Sequence, residues 1–236
     1  MKKHQKRLTI PRRWKLAKKT QKWAPKTSPG PHSKEWSVPV LVVLRDMLEL
    51  CDNASEARKI LAARDVFVDG KVITNPNHPV GFMDVFSIPK NNIFYRVLFD
   101  KRGKLVLTSI PKENSIWKMV KIMDKKTLKG NKIQLNLHDG RNILLEKDRF
   151  KTKDVLKIEI PSQKMLGAYK FSKGNLAMII GGAHAGSIYR IEDFTVTKSS
   201  KPNIVTLEGG ISTIMDYIFV IGKKTPEITV PEVKVI

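Results

Sequence analysis

The chain has 236 residues, with 44 Lys or Arg against 22 Asp or Glu, a formal charge of +22, and 41% hydrophobic residues. This apolar share is enough for folded cores, and the excess of positive charge favours a polyanion such as nucleic acid as partner. The single cysteine, Cys51, excludes an internal disulfide framework and a cysteine-based zinc site. The longest apolar run, 38–44, is too short to span a bilayer, so we expect a cytoplasmic protein with no membrane partner.

Residues 1–36 form a basic segment in which twelve Lys or Arg accompany a single acid, Glu35. Its few apolar residues cannot bury a face, so the composition predicts an extended arm that becomes ordered only on a polyanion. A membrane-surface helix and a solvated tail are the open alternatives. In the nucleic-acid interpretation, the cations neutralise phosphates, and the Trp rings pack on bases, sugars or the protein's own first module. The candidate contacts in this arm are Lys3, His4, Lys6, Arg7, Arg12, Arg13, Trp14, Lys18, Lys19, Lys22 and Trp23.

After the arm, the spacing of apolar residues predicts two helices. Leu41, Leu44, Leu48 and Cys51 recur every three or four residues, which is typical of one helical face. A second helix is predicted directly afterwards, because Asn53 and Glu56 have the spacing of a capping box. Cys51 is then a small buried residue near the end of the first helix.

At Val66 and Val68 the spacing of apolar residues changes to every second residue, which is typical of a β-strand, and Asp69-Gly70 predicts a tight hairpin. The order helix, helix, hairpin, with the run 66–72, resembles the small RNA-binding module of bacterial ribosomal protein S4 and of several RNA-modifying enzymes. Gly81 and Asp84 are separated here where such modules often have adjacent Gly-Asp, so the closing loop is expected to be longer. The resemblance implies a basic ledge for phosphates, for which the candidates are Arg45, Arg58, Lys59, Arg64 and Lys71.

Residues 95–170 alternate apolar and polar side chains in short runs, which predicts a central β domain. A further hairpin is predicted at Asp139-Gly140. Within this region no set of acids, His or Ser has the spacing that catalysis needs, so we interpret it as a scaffold.

Residues 171–236 contain short strands around a glycine loop, Gly181 to Gly186. A nucleotide-binding P-loop would need Gly-Lys-Ser or Gly-Lys-Thr opening a helix, whereas here the loop enters an apolar strand. The strand, glycine loop and strand resemble the KOW motif of ribosomal proteins and elongation factors, which implies an SH3-like barrel. His184 in the loop and Arg190 after it are the candidate RNA contacts.

We predict no catalytic residue, metal site, cofactor or small-molecule substrate. The five histidines are scattered over separate segments without a Cys, Asp or His at ligand spacing. Asp84 and Asp139 each belong to a turn, where Asp is favoured for backbone reasons. His138 precedes such a turn and is expected to be structural.

The full order of parts resembles the archaeal and eukaryotic small-subunit ribosomal protein S4e family, on motifs such as Ser28-Pro29-Gly30-Pro31-His32 and Gly81-Phe82-Met83-Asp84-Val85. The resemblance implies an α+β, mostly β chain: an arm (1–36), an S4-like module (37–94), a central β domain (95–170) and a KOW-type barrel with a tail (171–236). It also implies a non-enzymatic constituent of the small subunit, with ribosomal RNA and neighbouring ribosomal proteins as partners. An RNA-modifying enzyme and a KOW-type transcription elongation factor are the alternatives.

Overall fold

The computed structural model describes residues 4–230, so Lys3 and the end of the tail lie outside the described residues. The chain forms two compact units. The first contains residues 4–98, 104–118 and 160–162, and the second contains 99–103, 119–159 and 163–230. Strands predominate over helices, which confirms the predicted α+β, mostly β class. No helix in residues 4–230 is long and apolar enough to cross a membrane.

The first unit combines both helices with short strands. Its α1 continues as a π-helical segment, Val43–Met47. The elements are β1 (Gln5–Lys6), β2 (Trp23–Ala24), β3 (Ser37–Pro39), α1 (Val40–Val42), α2 (Ala54–Ala62), β4 (Phe67–Val68), β5 (Lys71–Val72), β6 (Pro79–Gly81), β7 (Val85–Ile88), β8 (Ile93–Phe99) and β9 (Leu105–Ser109). Strands β1 and β2 pair, as do β3 and β6, and the main sheet has the order β5-β4-β7-β8-β9.

The second unit holds two five-stranded sheets. Its elements are β10 (Trp117–Thr127), β11 (Ile133–Leu137), β12 (Asn142–Leu145), β13 (Val155–Glu159), β14 (Met165–Tyr169), β15 (Leu176–Ile179), β16 (Ile188–Thr195), β17 (Ile204–Leu207), β18 (Ile211–Ile214) and β19 (Ile218–Gly222). The first two residues of β10, Trp117 and Lys118, belong to the first unit. The strand orders are β12-β11-β10-β13-β14 and β18-β17-β16-β15-β19. Alternating residues of the first of these sheets, among them Val120, Leu135 and Leu156, form a buried apolar cluster.

The predicted second helix and hairpin are confirmed. The Asn53 side chain accepts hydrogen bonds from the backbone N–H of Ser55 and Glu56, and this cap starts α2. Asp69 and Gly70 both have positive φ, 51° and 72°, as the tight turn between β4 and β5 requires. Cys51 is buried as predicted, but the first helical segment ends at Met47, so the predicted helix does not extend to Cys51.

The basic arm differs from the prediction. The Trp14 side chain is 1% exposed, and its indole Nε1 donates a hydrogen bond of 2.7 Å to the Ser37 carbonyl. The Leu105 N–H donates to the Arg13 carbonyl at 2.8 Å. The expectation that this stretch orders only on a polyanion is therefore wrong here, because a buried indole and backbone pairing give it partners within the first unit.

The sheet that contains the hairpin also includes strands expected in the central domain. Strand β7 pairs with β8 in register from Val85↔Arg96 to Ile88↔Ile93, and β9 follows β8 in the same sheet. The proposed division at 36, 94 and 170 stays a prediction.

Candidate RNA interface

Four of the five ledge candidates are exposed, on α2 and on the hairpin that follows it in sequence, whereas Arg45 is half-buried and paired with Asp46. Arg58 and Lys59 lie on α2, Arg64 follows its end, and Lys71 begins β5. Among residues 4–230, none of these four side chains makes an ion pair or hydrogen bond within the chain. By contrast, Lys90 in the same unit already pairs with Asp65 at 2.7 Å. The four cations are thus available to an external anion.

Arg64 has an unusual backbone conformation. Its φ is +61°, the left-handed region that favours glycine. It stands just beyond the last turn of α2, where its N–H donates to the Leu61 carbonyl at 3.1 Å. A helix commonly ends in this way, but with Gly at this position. An Arg here costs conformational free energy that a Gly would avoid.

The cations of the arm divide into two groups. Arg7 is buried, its Nε donates to the Ala17 carbonyl at 2.6 Å, and it pairs with Asp46 at 3.4 Å. The Arg13 guanidinium lies 3.5 Å from the ring centroid of Trp36. These two are engaged within the chain, as is Trp14. The candidate contacts of the arm whose side chains are exposed are His4, Lys6, Arg12, Lys18, Lys19, Lys22 and Trp23.

A cleft of about 860 Å³ lies in the first unit between the β1–β2 pair and the helices. His4, Trp23 and Lys26 line it from the arm, and Arg45 and Arg58 line it from the helical side. Arg45 also bonds to Asp46 at 2.8 Å. No Asp or Glu is among the described residues that line the cleft, so its electrostatics favour an anion.

A buried ion network fixes the end of the arm to the S4-like module. The His32 Nε2 and Asp84 Oδ2 atoms are 2.9 Å apart. The Lys118 ammonium donates to Asp69 at 2.6 Å and to Asp84 at 3.1 Å. Burial alone raises the pKa of Asp84, but His32, Lys118 and the Gly81 N–H outweigh burial and hold that pKa well below its usual range.

This network explains features that sequence reasoning missed. A Cβ on Gly81 would lie 2.3 Å from the His32 ring, so only Gly fits there. Asp84, expected only to shape a turn, is in addition a buried charge partner. The weak signal was the single Pro31-His32 pair in the arm and Asp84 in the closing loop, but sequence spacing gave no reason to join them.

The glycine loop of the second unit is shaped by packing. A Cβ on Gly186 would lie 1.8 Å from the Asp100 carbonyl oxygen, and φ is +86°. The Gly186 N–H donates to Ile179 and the Ser187 N–H to His184, at 2.7 and 3.2 Å. These two N–H groups are therefore not directed at a ligand. The side chains of His184 and Arg190 are exposed, and Arg190 reaches the Lys224 carbonyl at 3.5 Å.

Two side chains of the second unit have structural contacts. His138 accepts a hydrogen bond from the Lys121 N–H at 3.1 Å, so its structural role is confirmed. The buried Lys121 ammonium donates to the carbonyls of Asp216 and Ile218, both at 2.7 Å. Burial, with the nearby charge of Lys153, lowers the pKa of Lys121 to about 7. Within residues 4–230, no group of three His, Cys, Asp or Glu could hold a metal ion.

Comparisons with known proteins identify the family of this chain. Sequence models match three stretches: an RS4NT domain at 1–35, an S4 domain at 39–86 and Ribosomal family S4e at 91–165. Small ribosomal subunit protein eS4 of Methanothermobacter thermautotrophicus is 47% identical, over 97% of this chain and 96% of its own length. The chain belongs to the ribosomal protein S4e family.

Further S4e proteins show the same similarity. Small ribosomal subunit protein eS4 of Archaeoglobus fulgidus is also 47% identical, over 94% of both chains. The crystal structure of the 30S ribosomal protein S4e from Thermoplasma acidophilum covers 80% of this chain and 97% of its own, with 38% identity and a TM-score of 0.72. The S4e assignment thus rests on sequence and on fold.

Proposed function

We propose that this S4e protein is a structural constituent of the small ribosomal subunit, in the cytoplasm, where it binds folded ribosomal RNA and stabilises its shape without catalysis. The observation that carries the proposal is the set of exposed, unpartnered cations at Arg58, Lys59, Arg64 and Lys71, in a chain of net charge +22 that belongs to this family. Cations of this kind bind phosphates and release counterions, which needs no base to be read.

The arm extends the same surface. Lys6, Arg12, Lys18, Lys19 and Lys22 neutralise phosphates of RNA helices that would otherwise repel each other. The buried Trp14 and the His32–Asp84 contact support this role, because they hold the arm's backbone in place before RNA arrives and so lower the entropy cost of binding. Lys3 belongs to the proposed contacts as well, although it lies outside the described residues.

The second unit contributes fewer of the proposed RNA contacts than the first. We infer that its C-terminal sheet is a KOW-type, SH3-like barrel, supported by the strand, glycine loop and strand formed by β15, 181–186 and β16. His184 and Arg190 contact RNA through side chains in this proposal. Neighbouring ribosomal proteins are further partners.

Salt-dependent binding to a small-subunit ribosomal RNA transcript tests the proposal. Arg58→Ala should lower the slope of log K against log salt by about one unit, because one phosphate contact is lost. Lys90→Ala is the matched control, since it removes the same charge from the same unit but from a side chain that is already paired. Equal slopes for Arg58→Ala, Lys90→Ala and the unchanged chain would contradict the proposal that Arg58 contacts an RNA phosphate.

Co-sedimentation tests the ribosomal assignment itself. The full chain should migrate with small subunits at near-physiological salt. A chain that stays at the top of the gradient would contradict the assignment, and a turnover assay on RNA would then test the alternative of an RNA-modifying enzyme. No relative or solved structure named above supports that alternative or an elongation factor.

A further inference from the structure

We infer that the cleft between the β1–β2 pair and the helices receives a single unpaired nucleotide of the ribosomal RNA. The inference rests on the proposed function and adds to it one specific contact, in which an RNA base edge meets the side-chain amide of Gln5. Phosphate neutralisation on the ledge does not require such a contact.

Gln5 provides the first observation. It is 5% exposed and lines the cleft. Its amide nitrogen and amide oxygen are both buried without a hydrogen-bond partner among the described residues. A buried amide without partners is costly, and native proteins satisfy nearly all such groups. An amide offers a donor and an acceptor side by side, which is the pattern presented by the edge of a nucleic-acid base.

The walls of the cleft provide the second observation. Arg58 lines it without a partner among the described residues, whereas Arg45 shares its charge with Asp46. Because no described lining residue is acidic, a phosphate can approach Arg58 without repulsion. A volume of about 860 Å³ is large enough for one nucleotide.

Trp23 provides the third observation. Its side chain lines the cleft and is 50% exposed, which is unusual for a Trp without an external partner. The His4 ring lies 5.7 Å from its ring, and the Lys22 ammonium lies 5.6 Å from its centroid. In the β1–β2 pair, Gln5 is paired with Ala24 and Lys6 with Trp23. Because successive side chains of a strand point to opposite faces, the Gln5 and Trp23 side chains lie on opposite faces of the pair. The amide and the indole therefore serve different bases, and Trp23 stacks on the neighbour of the captured nucleotide.

Base-specific chemical probing of a small-subunit ribosomal RNA transcript, with and without the full chain, tests the inference. The unchanged chain should protect one unpaired base that becomes reactive again with Gln5→Met, which keeps the volume but removes the amide. Affinity should fall roughly tenfold, with the salt slope retained because no phosphate contact is lost. Trp23→Ala should weaken binding roughly 5- to 100-fold, again with the slope retained. The control Leu166→Ala removes an equally exposed apolar side chain from the second unit and should change neither.

The outcomes separate the two proposals. If the transcript binds normally and Gln5→Met leaves every base protection unchanged, the cleft inference fails while the ledge stands. If the transcript does not bind at all, the proposed function fails. Ultraviolet crosslinking in reconstituted subunits should give a nucleotide adduct near Trp23, and a peptide of a neighbouring protein there instead would also overturn the inference. Removing a buried, unpartnered amide should leave the unfolding free energy of Gln5→Met equal to or above that of the unchanged chain, which excludes misfolding as the cause.

Discussion

Replacing Arg64 with Gly separates a folding role from a binding role at one position. The left-handed φ of +61° costs an Arg about 1 kcal/mol or more relative to Gly. Gly in turn loses more conformational entropy on folding, about 0.5–1 kcal/mol. The two terms nearly cancel, so we expect Arg64→Gly to change the free energy of unfolding by less than about 1 kcal/mol, in either direction.

Binding should respond quite differently. Arg64 is exposed and has no partner among the described residues, so its loss removes one phosphate contact. The slope of log K against log salt should fall by about one unit. Arg64→Lys retains the charge and should retain the slope. Filter binding of a small-subunit ribosomal RNA transcript over a series of KCl concentrations measures the slope, and urea unfolding measures stability.

Asn92→Gly is the control for the backbone. Asn92 is exposed, uncharged and left-handed, with φ of 53°. This variant should alter stability by a similarly small amount and leave the salt slope unchanged. An unchanged slope for Arg64→Gly, or a loss of unfolding free energy well above about 2 kcal/mol, would refute the reasoning that this Arg is kept for RNA.

Three further predictions concern stability, measured by urea unfolding. Lys118→Met removes the cation shared by the buried Asp69 and Asp84 carboxylates, although Asp84 keeps its contact with His32, and should cost about 3–5 kcal/mol, so a loss below about 1 kcal/mol would contradict the buried network. Because burial lowers the pKa of Lys121 from 10.5 to about 7, the unfolded chain binds the extra proton between these values, and stability should rise as pH increases from 7 to 10.5. In Lys121→Met, the unfolding free energy should lack the part of the rise that Lys121 contributes. Equal pH profiles of stability for this variant and the unchanged chain would contradict the lowered pKa of Lys121. Gly186→Ala should cost about 3 kcal/mol or more, because its Cβ would meet the Asp100 carbonyl at 1.8 Å, whereas Gly130→Ala, with nothing within 4 Å, should cost only about 1 kcal/mol.

Local chemistry made several elements predictable from the sequence. The Asn53–Glu56 cap defines the start of α2, and Asp69-Gly70 defines the hairpin, because both depend on residues close in sequence. The period-two runs predicted most strands from β8 onward. The S4-like order of parts and the charge of the arm indicated the family, which the comparisons then showed.

Only the tertiary structure decided which of these residues are available for binding. Arg7 and Arg12 look alike in the sequence, yet Arg7 is buried against Asp46 and Arg12 is exposed. The unpartnered amide of Gln5 and the Lys118 network depend on residues brought together from distant segments. The composition and the spacing of apolar residues carry information about residues that are neighbours along the chain. Burial and charge pairing are set by contacts between segments that are distant in the sequence.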